Sequence, residues 1–212
     1  MISEGLKKLP NRITMFRMLI IIFFIPALLA SNVVWNYVAL FLFAIAGISD
    51  WLDGFIARKY NIVSDFGKVM DPLADKILVV STLLCFVQLG VVPAWMVVII
   101  ISREFMISGI RMMAAQGGKI IQASNLGKLK TVVEMTAITT VLLLKVIQDT
   151  IEYYNETQTW EQIVMKLGNW GDTLVQFAYG APYWLMFAAT VMSLVSGLDY
   201  FFRNKKIFDK EI

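Results

Sequence analysis

The chain has 212 residues, of which 58% are hydrophobic and 17% charged, and its formal net charge is +3. A soluble domain is usually about 45–50% apolar; the excess here falls in long blocks that suit helices crossing a bilayer. Histidine is absent, which excludes Ser-His-Asp and Cys-His catalysis, HExxH zinc sites and haem held by histidine. The lone cysteine, Cys85, excludes an intrachain disulfide.

The opening residues 1–12 are too polar for the apolar centre of a cleaved signal peptide. They read as a short interfacial helix, with Lys7, Lys8 and Arg12 near lipid headgroups. Six spanning helices are predicted next, at about 13–30, 33–49, 72–89, 93–110, 131–147 and 181–202. The links Ser31-Asn32 and Gly90-Val91-Val92 are short and uncharged, so each joins a tight hairpin. Basic residues cluster at the opening, around Arg58 to Lys76, around Lys119 to Lys130, and after Arg203, and these clusters alternate with the uncharged links. The positive-inside rule then places both termini in the cytoplasm. The segment 149–180 is acidic and aromatic and falls outside, with room for a short surface helix at 160–178. The expectation is an all-α integral membrane fold, a single domain over residues 1–212.

The most informative stretch runs Asp50-Trp-Leu-Asp53-Gly54-Phe-Ile-Ala57-Arg58, then after eight residues Gly67-Lys-Val-Met-Asp71-Pro-Leu-Ala-Asp75. Residues three, four and seven apart share a helix face, so Asp50, Asp53, Gly54 and Ala57 point one way, and Asp71 and Asp75 share a face on the next helix. If the two helices are neighbours, four carboxylates converge, and they stay ionised near a membrane only with cations among them. Oxygen ligands without histidine suit Mg²⁺, Mn²⁺ or Ca²⁺ rather than zinc. Mg²⁺ usually shares its coordination with substrate phosphates, which implies a phosphate-bearing ligand. Gly54, Ala57 and Gly67 leave space for a nucleotide or pyrophosphate near the backbone, and Arg58 can grip a phosphate in bidentate fashion. Asp65 is off the pattern and reads equally well as a helix cap. The bland alternative for all the aspartates is helix-end charge.

These residues match at every fixed position the signature D-x2-D-G-x2-A-R-x8-G-x3-D-x3-D, and the chain resembles the CDP-alcohol phosphotransferases over nearly its whole length. The resemblance implies that Asp50, Asp53 and Asp71 hold two metal ions, Mg²⁺ or Mn²⁺, with Asp75 touching one of them and acting as general base. It implies that Gly54, Ala57, Arg58 and Gly67 line the nucleotide site, and it suggests a homodimer in the bacterial inner membrane with its active site facing the cytoplasm. The opening Pro10-Asn11-Arg-Ile-Thr14-Met-Phe-Arg17 is similar to the family's start. Asn11, Thr14 and Arg17 share one face there, which either reaches the diphosphate of a CDP-lipid or anchors the interface.

A second stretch, Ser102-Arg103-Glu104-Phe-Met-Ile-Ser108-Gly-Ile-Arg111, puts charges deep in an apolar helix, and Lys128 and Lys130 stand at the mouth of the following one. Such charges face a polar cavity or a partner. Arg103, Arg111, Lys128 and Lys130 together make a candidate basic pocket for an alcohol that already carries phosphate; the alternative is headgroup snorkelling plus a structural Arg–Glu pair. These pieces look like those of the family members that make phosphatidylglycerophosphate in bacteria, which implies CDP-diacylglycerol as donor, sn-glycerol 3-phosphate as acceptor and CMP as by-product. Membrane lipids are the other expected partners; nucleic acid is not one. Glu134 departs from the glutamine expected near there, and one turn from Lys130 it is placed to pair with that lysine and weaken its claim on substrate. Synthases using serine, an inositol phosphate or phosphatidylglycerol stay open as rivals, as does a cation transporter or a purely structural membrane protein.

Overall fold

The computed structural model describes residues 4–30, 32–60, 65–116, 124–154 and 169–204. Every described element is a helix: α1 Glu4–Leu29, α2 Val33–Tyr60, α3 Asp65–Gln88, α4 Ala94–Gln116, α5 Asn125–Tyr154 and α6 Asn169–Arg203. Four stretches within them, Asn11–Leu29, Val33–Ile56, Asn125–Tyr153 and Tyr179–Arg203, are long and apolar enough to cross a membrane. Ile22, Phe23, Phe41, Ile48, Trp184 and Phe202 are each more than half exposed along these stretches. Lipid suits such a surface and water does not.

Two predicted boundaries move. Residues 4–12 do not form a separate interfacial helix but run without a break into the first span as α1. Extending an existing helix adds a hydrogen bond for each residue fixed, whereas a second helix needs its own nucleus. The predicted surface helix at 160–178 is likewise not separate where it is described, because α6 begins at Asn169 and carries Pro182 inside it. The rest of that segment, 155–168, lies outside the described residues.

The chain groups into two compact units, one made of Met1–Cys85 and Lys145–Thr157, the other of Phe86–Leu144 and Gln158–Ile212. In the first, α1 buries Arg17, Ile20, Ile21, Phe24, Ala27 and Leu28, and α2 buries Asn36, Ala39, Phe43, Ala46 and Asp53. Most members of each set lie three, four or seven residues from another, and so form one stripe. Phe24 meets Phe43 at 6.0 Å between ring centroids, while Arg17 meets Asp50 and Asp53; the two helices therefore run antiparallel. Alanines at 27, 39 and 46 let the backbones come close. Asn32 caps α2 by accepting the Val34 N–H at 2.9 Å. Near that end Asn36 donates to Asp149, which also accepts from Lys145 at 2.8 Å, so the start of α2 is tied to the end of α5.

In the second unit α4 packs along α6. Trp95 meets Phe187, Arg103 meets Ser196 and Arg111 lies over Tyr200, so positions rise together and the two helices run parallel. The turn after α3 is a Schellman motif. Gly90 N–H bonds Val87 O at 3.0 Å and Val91 N–H bonds Phe86 O at 2.9 Å, and the motif needs Gly90 at φ 71°. Gly90→Ala is therefore expected to lower unfolding free energy by about 1–2 kcal/mol, read as a lower midpoint in detergent melts followed by circular dichroism.

Candidate active site

The antiparallel pair α1–α2 brings two of the signature aspartates onto one cation. Arg17 lies on the buried stripe of α1 with its side chain fully buried, and a charge so placed must meet opposite charge. Its Nη1 donates to Asp50 at 2.9 Å and its Nη2 to Asp53 at 2.5 Å. Asp53 is almost completely buried, whereas the Asp50 side chain keeps 48% of its exposure. One acid thus faces inward and the other opens outward, both fixed by the same guanidinium. Gly54 follows directly and is half-buried. Thr14, one turn before Arg17, is fully buried, and Asn11, a turn earlier, is half-buried on the same face.

The other members of the signature are described only as backbone. The side chains of Ala57, Arg58, Gly67, Asp71 and Asp75 lie outside the described ones. α3 is helical from Asp65 through both remaining aspartates, which keeps Asp71 and Asp75 one turn apart on a common face. Asp65 is itself the first residue of that helix. Among the described residues no group of three or more His, Cys, Asp or Glu side chains gathers for a metal. The described donor set is the Asp50–Asp53 dyad, whose hard oxygens fit a divalent cation of the Mg²⁺ or Mn²⁺ type and would not favour a soft one.

The predicted basic pocket resolves into separate parts. On α4, Arg103 Nη1 donates to Glu104 Oε1 at 2.6 Å and Nη2 donates to Ser196 on α6 at 2.9 Å. Lys130 of α5 donates to the same Glu104 oxygen at 2.6 Å and to Glu134 at 2.5 Å. Its side chain is 1% exposed, so it does not present its ammonium to a ligand as the basic-pocket reading supposed. Arg111 is exposed, two turns beyond Arg103, with its guanidinium 5.5 Å from the Tyr200 ring centre. Lys128 is exposed in the first turn of α5. Ser124 caps that helix, accepting the Gly127 N–H at 3.1 Å. A Cβ built on Gly127 would lie 3.8 Å from Arg103 Nη2, which places the arginine beside the opening turn of α5. That turn offers the positive end of a helix dipole, a favourable place for an anion.

Sequence reasoning gave no role to Gly197. A Cβ there would come within 3.0 Å of Arg103 Cγ, so glycine makes the passage through which the arginine crosses α6. Ser193 and Ser196, both buried, were also passed over. A small-residue run on the last helix was the available signal. An apolar cavity of about 610 Å³, lined by Leu144, Phe177, Trp184 and Leu185, lies farther along α5. None of its described lining residues is charged.

The apolar spanning helices suit a membrane protein; the hard-oxygen dyad at the end of α2 in one unit and the buried arginine beside a helix opening in the other each suit phosphate chemistry. Residues 7–194 match the CDP-alcohol phosphatidyltransferase family model, and the chain belongs to that family. It is 43% identical over 147 residues to the CDP-diacylglycerol–glycerol-3-phosphate 3-phosphatidyltransferase of Bacillus subtilis (strain 168), covering 64% of this chain and 76% of that protein. Along 95% of this chain and 98% of the relative it is 29% identical to the Rickettsia bellii (strain RML369-C) protein of the same name. A Mycoplasma pneumoniae protein, again with that name, is 38% identical over 150 residues, 62% of this chain and 66% of the relative.

Removing Arg17 would leave two carboxylates without the cation that joins them. Arg17→Met is expected to destabilise the α1–α2 pair by about 3–5 kcal/mol, whereas Arg17→Lys, which keeps the charge but loses the fork, should lose less. Unfolding of the purified variants in dodecylmaltoside and urea would rank them.

Proposed function

We propose that this protein transfers the phosphatidyl group of CDP-diacylglycerol to sn-glycerol 3-phosphate, forming phosphatidylglycerophosphate and releasing CMP. The observation that carries the choice of acceptor is Arg103, nine-tenths buried and held beside the opening turn of α5 with Lys128 in that same turn. A cation and a helix N-terminus suit an alcohol that already bears phosphate, and suit choline, ethanolamine or serine less well. Arg103 Nε–H is buried without a hydrogen-bond partner among the described residues, which leaves a donor for an incoming oxygen. The names of the relatives agree with this acceptor.

α3 and α4 are taken to complete six crossings, with both termini, the aspartates and the opening of α5 at the cytoplasmic face of a bacterial inner membrane. The antiparallel α1–α2 pair and the parallel α4–α6 pair support an alternating path. So does the aromatic group Trp95, Tyr183, Trp184 and Phe187, which suits the opposite interface.

In the proposed reaction Asp50, Asp53, Asp71 and Asp75 would hold the divalent ions. These supply neutralisation of the pyrophosphate charge that grows as CMP departs. Gly54, Ala57, Arg58 and Gly67 would accept the cytidine diphosphate part, with Asn11 and Thr14 on its lipid-linked side. Arg103 and Lys128 would hold the acceptor by its phosphate. The acceptor's primary hydroxyl attacks the phosphorus that carries the diacylglycerol, Asp75 takes the hydroxyl proton, and the bridging P–O bond breaks with its electron pair leaving on CMP.

CMP release from CDP-diacylglycerol, measured with one alcohol at a time, tests this reading. Release with glycerol 3-phosphate and loss with EDTA are expected; release only with serine, an inositol phosphate or phosphatidylglycerol would keep the chemistry and replace the acceptor. Asp75→Asn should cut kcat by at least about 100-fold while CDP-diacylglycerol still protects the protein from heat. Gly197→Ala, which crowds Arg103, should raise the KM for glycerol 3-phosphate and spare that for CDP-diacylglycerol.

A further inference from the structure

Arg103, Glu104, Lys130 and Glu134 form a continuous chain of ion pairs in which two cations and two anions cancel. Glu104 Oε1 receives both Arg103 and Lys130, at 2.6 Å each, so this one carboxylate already bridges the two cations. Glu134 contacts only Lys130 among the four, at 2.5 Å, and its side chain is 5% exposed. It lies one turn deeper along α5 than Lys130, away from the opening turn where Arg103 and Lys128 stand. Without Glu134 the other three groups would still be linked, but they would carry one positive charge. Glu134 is therefore the member that makes the group neutral.

We infer that Glu134 is a specificity-determining residue that acts through Lys130: by neutralising the quartet, it limits how tightly the protein holds a phosphate-bearing acceptor. This rests on the acceptor proposed above. The product of that reaction keeps the acceptor's phosphate. A stronger positive field would hold substrate and product alike, lowering KM without speeding the chemical step and slowing product release. A neutral quartet leaves recognition to Arg103, Lys128 and the helix N-terminus. Arg103 is held directly by Glu104 and Ser196, so its place does not depend on Lys130.

The experiment uses full-length protein in detergent and measures KM by CMP release and the Kd of inorganic phosphate by calorimetry. Glu134→Gln is expected to lower both the KM for glycerol 3-phosphate and the phosphate Kd by about three- to tenfold, to steepen their salt dependence, and to leave the KM for CDP-diacylglycerol unchanged. The double variant Lys130→Gln, Glu134→Gln removes the pair together and keeps the remaining charge at zero, so its acceptor KM and phosphate Kd should return to the wild-type values. Unchanged or weaker phosphate binding in Glu134→Gln would overturn the inference. So would a double variant with strongly weakened phosphate binding, since Lys130 would then be a phosphate ligand itself; that arm decides the matter even if the single variant does not fold. Wild-type protein that binds phosphate but releases no CMP with glycerol 3-phosphate would instead overturn the proposed reaction, and the phosphate Kd series would still judge Glu134.

Discussion

A charge within an apolar helix can be kept only where an opposite charge from another helix, or from the next turn, comes to meet it. That requirement organises both units. In the first, the Arg17 guanidinium has no exposure and spans Asp50 and Asp53, so the α1–α2 interface is fixed in register at the end where the signature aspartates stand. The apolar stripe above it, from Ile20 to Leu28 on one helix and from Ala39 to Ala46 on the other, would tolerate a slip by one turn. The fork of Arg17 would not, because a displacement of one turn leaves it at most one of its two partners. The geometry of the aspartates is thus a by-product of burying an arginine.

The second unit meets the same requirement differently. Arg103 and Glu104 are neighbours in sequence, about 100° apart around α4, yet their side chains meet at 2.6 Å and draw Lys130 in from α5. Ser196 takes the other end of the guanidinium, and the missing side chain at Gly197 lets the arginine pass. Three helices are thereby joined through two adjacent side chains, Arg103 to α6 and Glu104 to α5, with an anion-favouring helix opening beside them. The two units use related means to different ends. Arg17 gathers acids that suit a cation, whereas the quartet balances its own charges and leaves the nearby helix opening for an anion.

Much of this was legible in the chain before any coordinates. Apolar blocks located the helices because spanning a bilayer demands length and hydrophobicity together, and Asp50, Asp53 and Gly54 declared themselves by spacing. The departure at Glu134 was visible too, and its pairing with Lys130 follows from one helical turn. What could not be read was which cations were already committed. The pairing that weakens the claim of Lys130 was legible, but its second bond, to Glu104 on α4, was not; a rotation of 200° around α5 puts Lys130 in the interior and leaves Lys128 outside. The weight of Arg17 was underestimated because its partners lie more than thirty positions away. The ends of α1 and α6 were misplaced because polar residues that mark an interface do not stop a helix that already has its hydrogen bonds.

The quartet also bears on how the chain enters the membrane. α4 is not among the four helices that are apolar enough to cross alone, since Arg103, Glu104 and Arg111 interrupt it. Each charged residue near the centre of an isolated span costs about 2.5–3.5 kcal/mol on the insertion scale, and those of α4 are offset only in part by their own pairing. Lys130 arrives with the next helix made, and Ser196 with the last. If α4 crosses as proposed, it is retained by partners synthesised after it, so α4 and α5 should leave the insertion machinery as a pair. A chain interrupted between them would present α4 as a helix prone to slip back out of the bilayer.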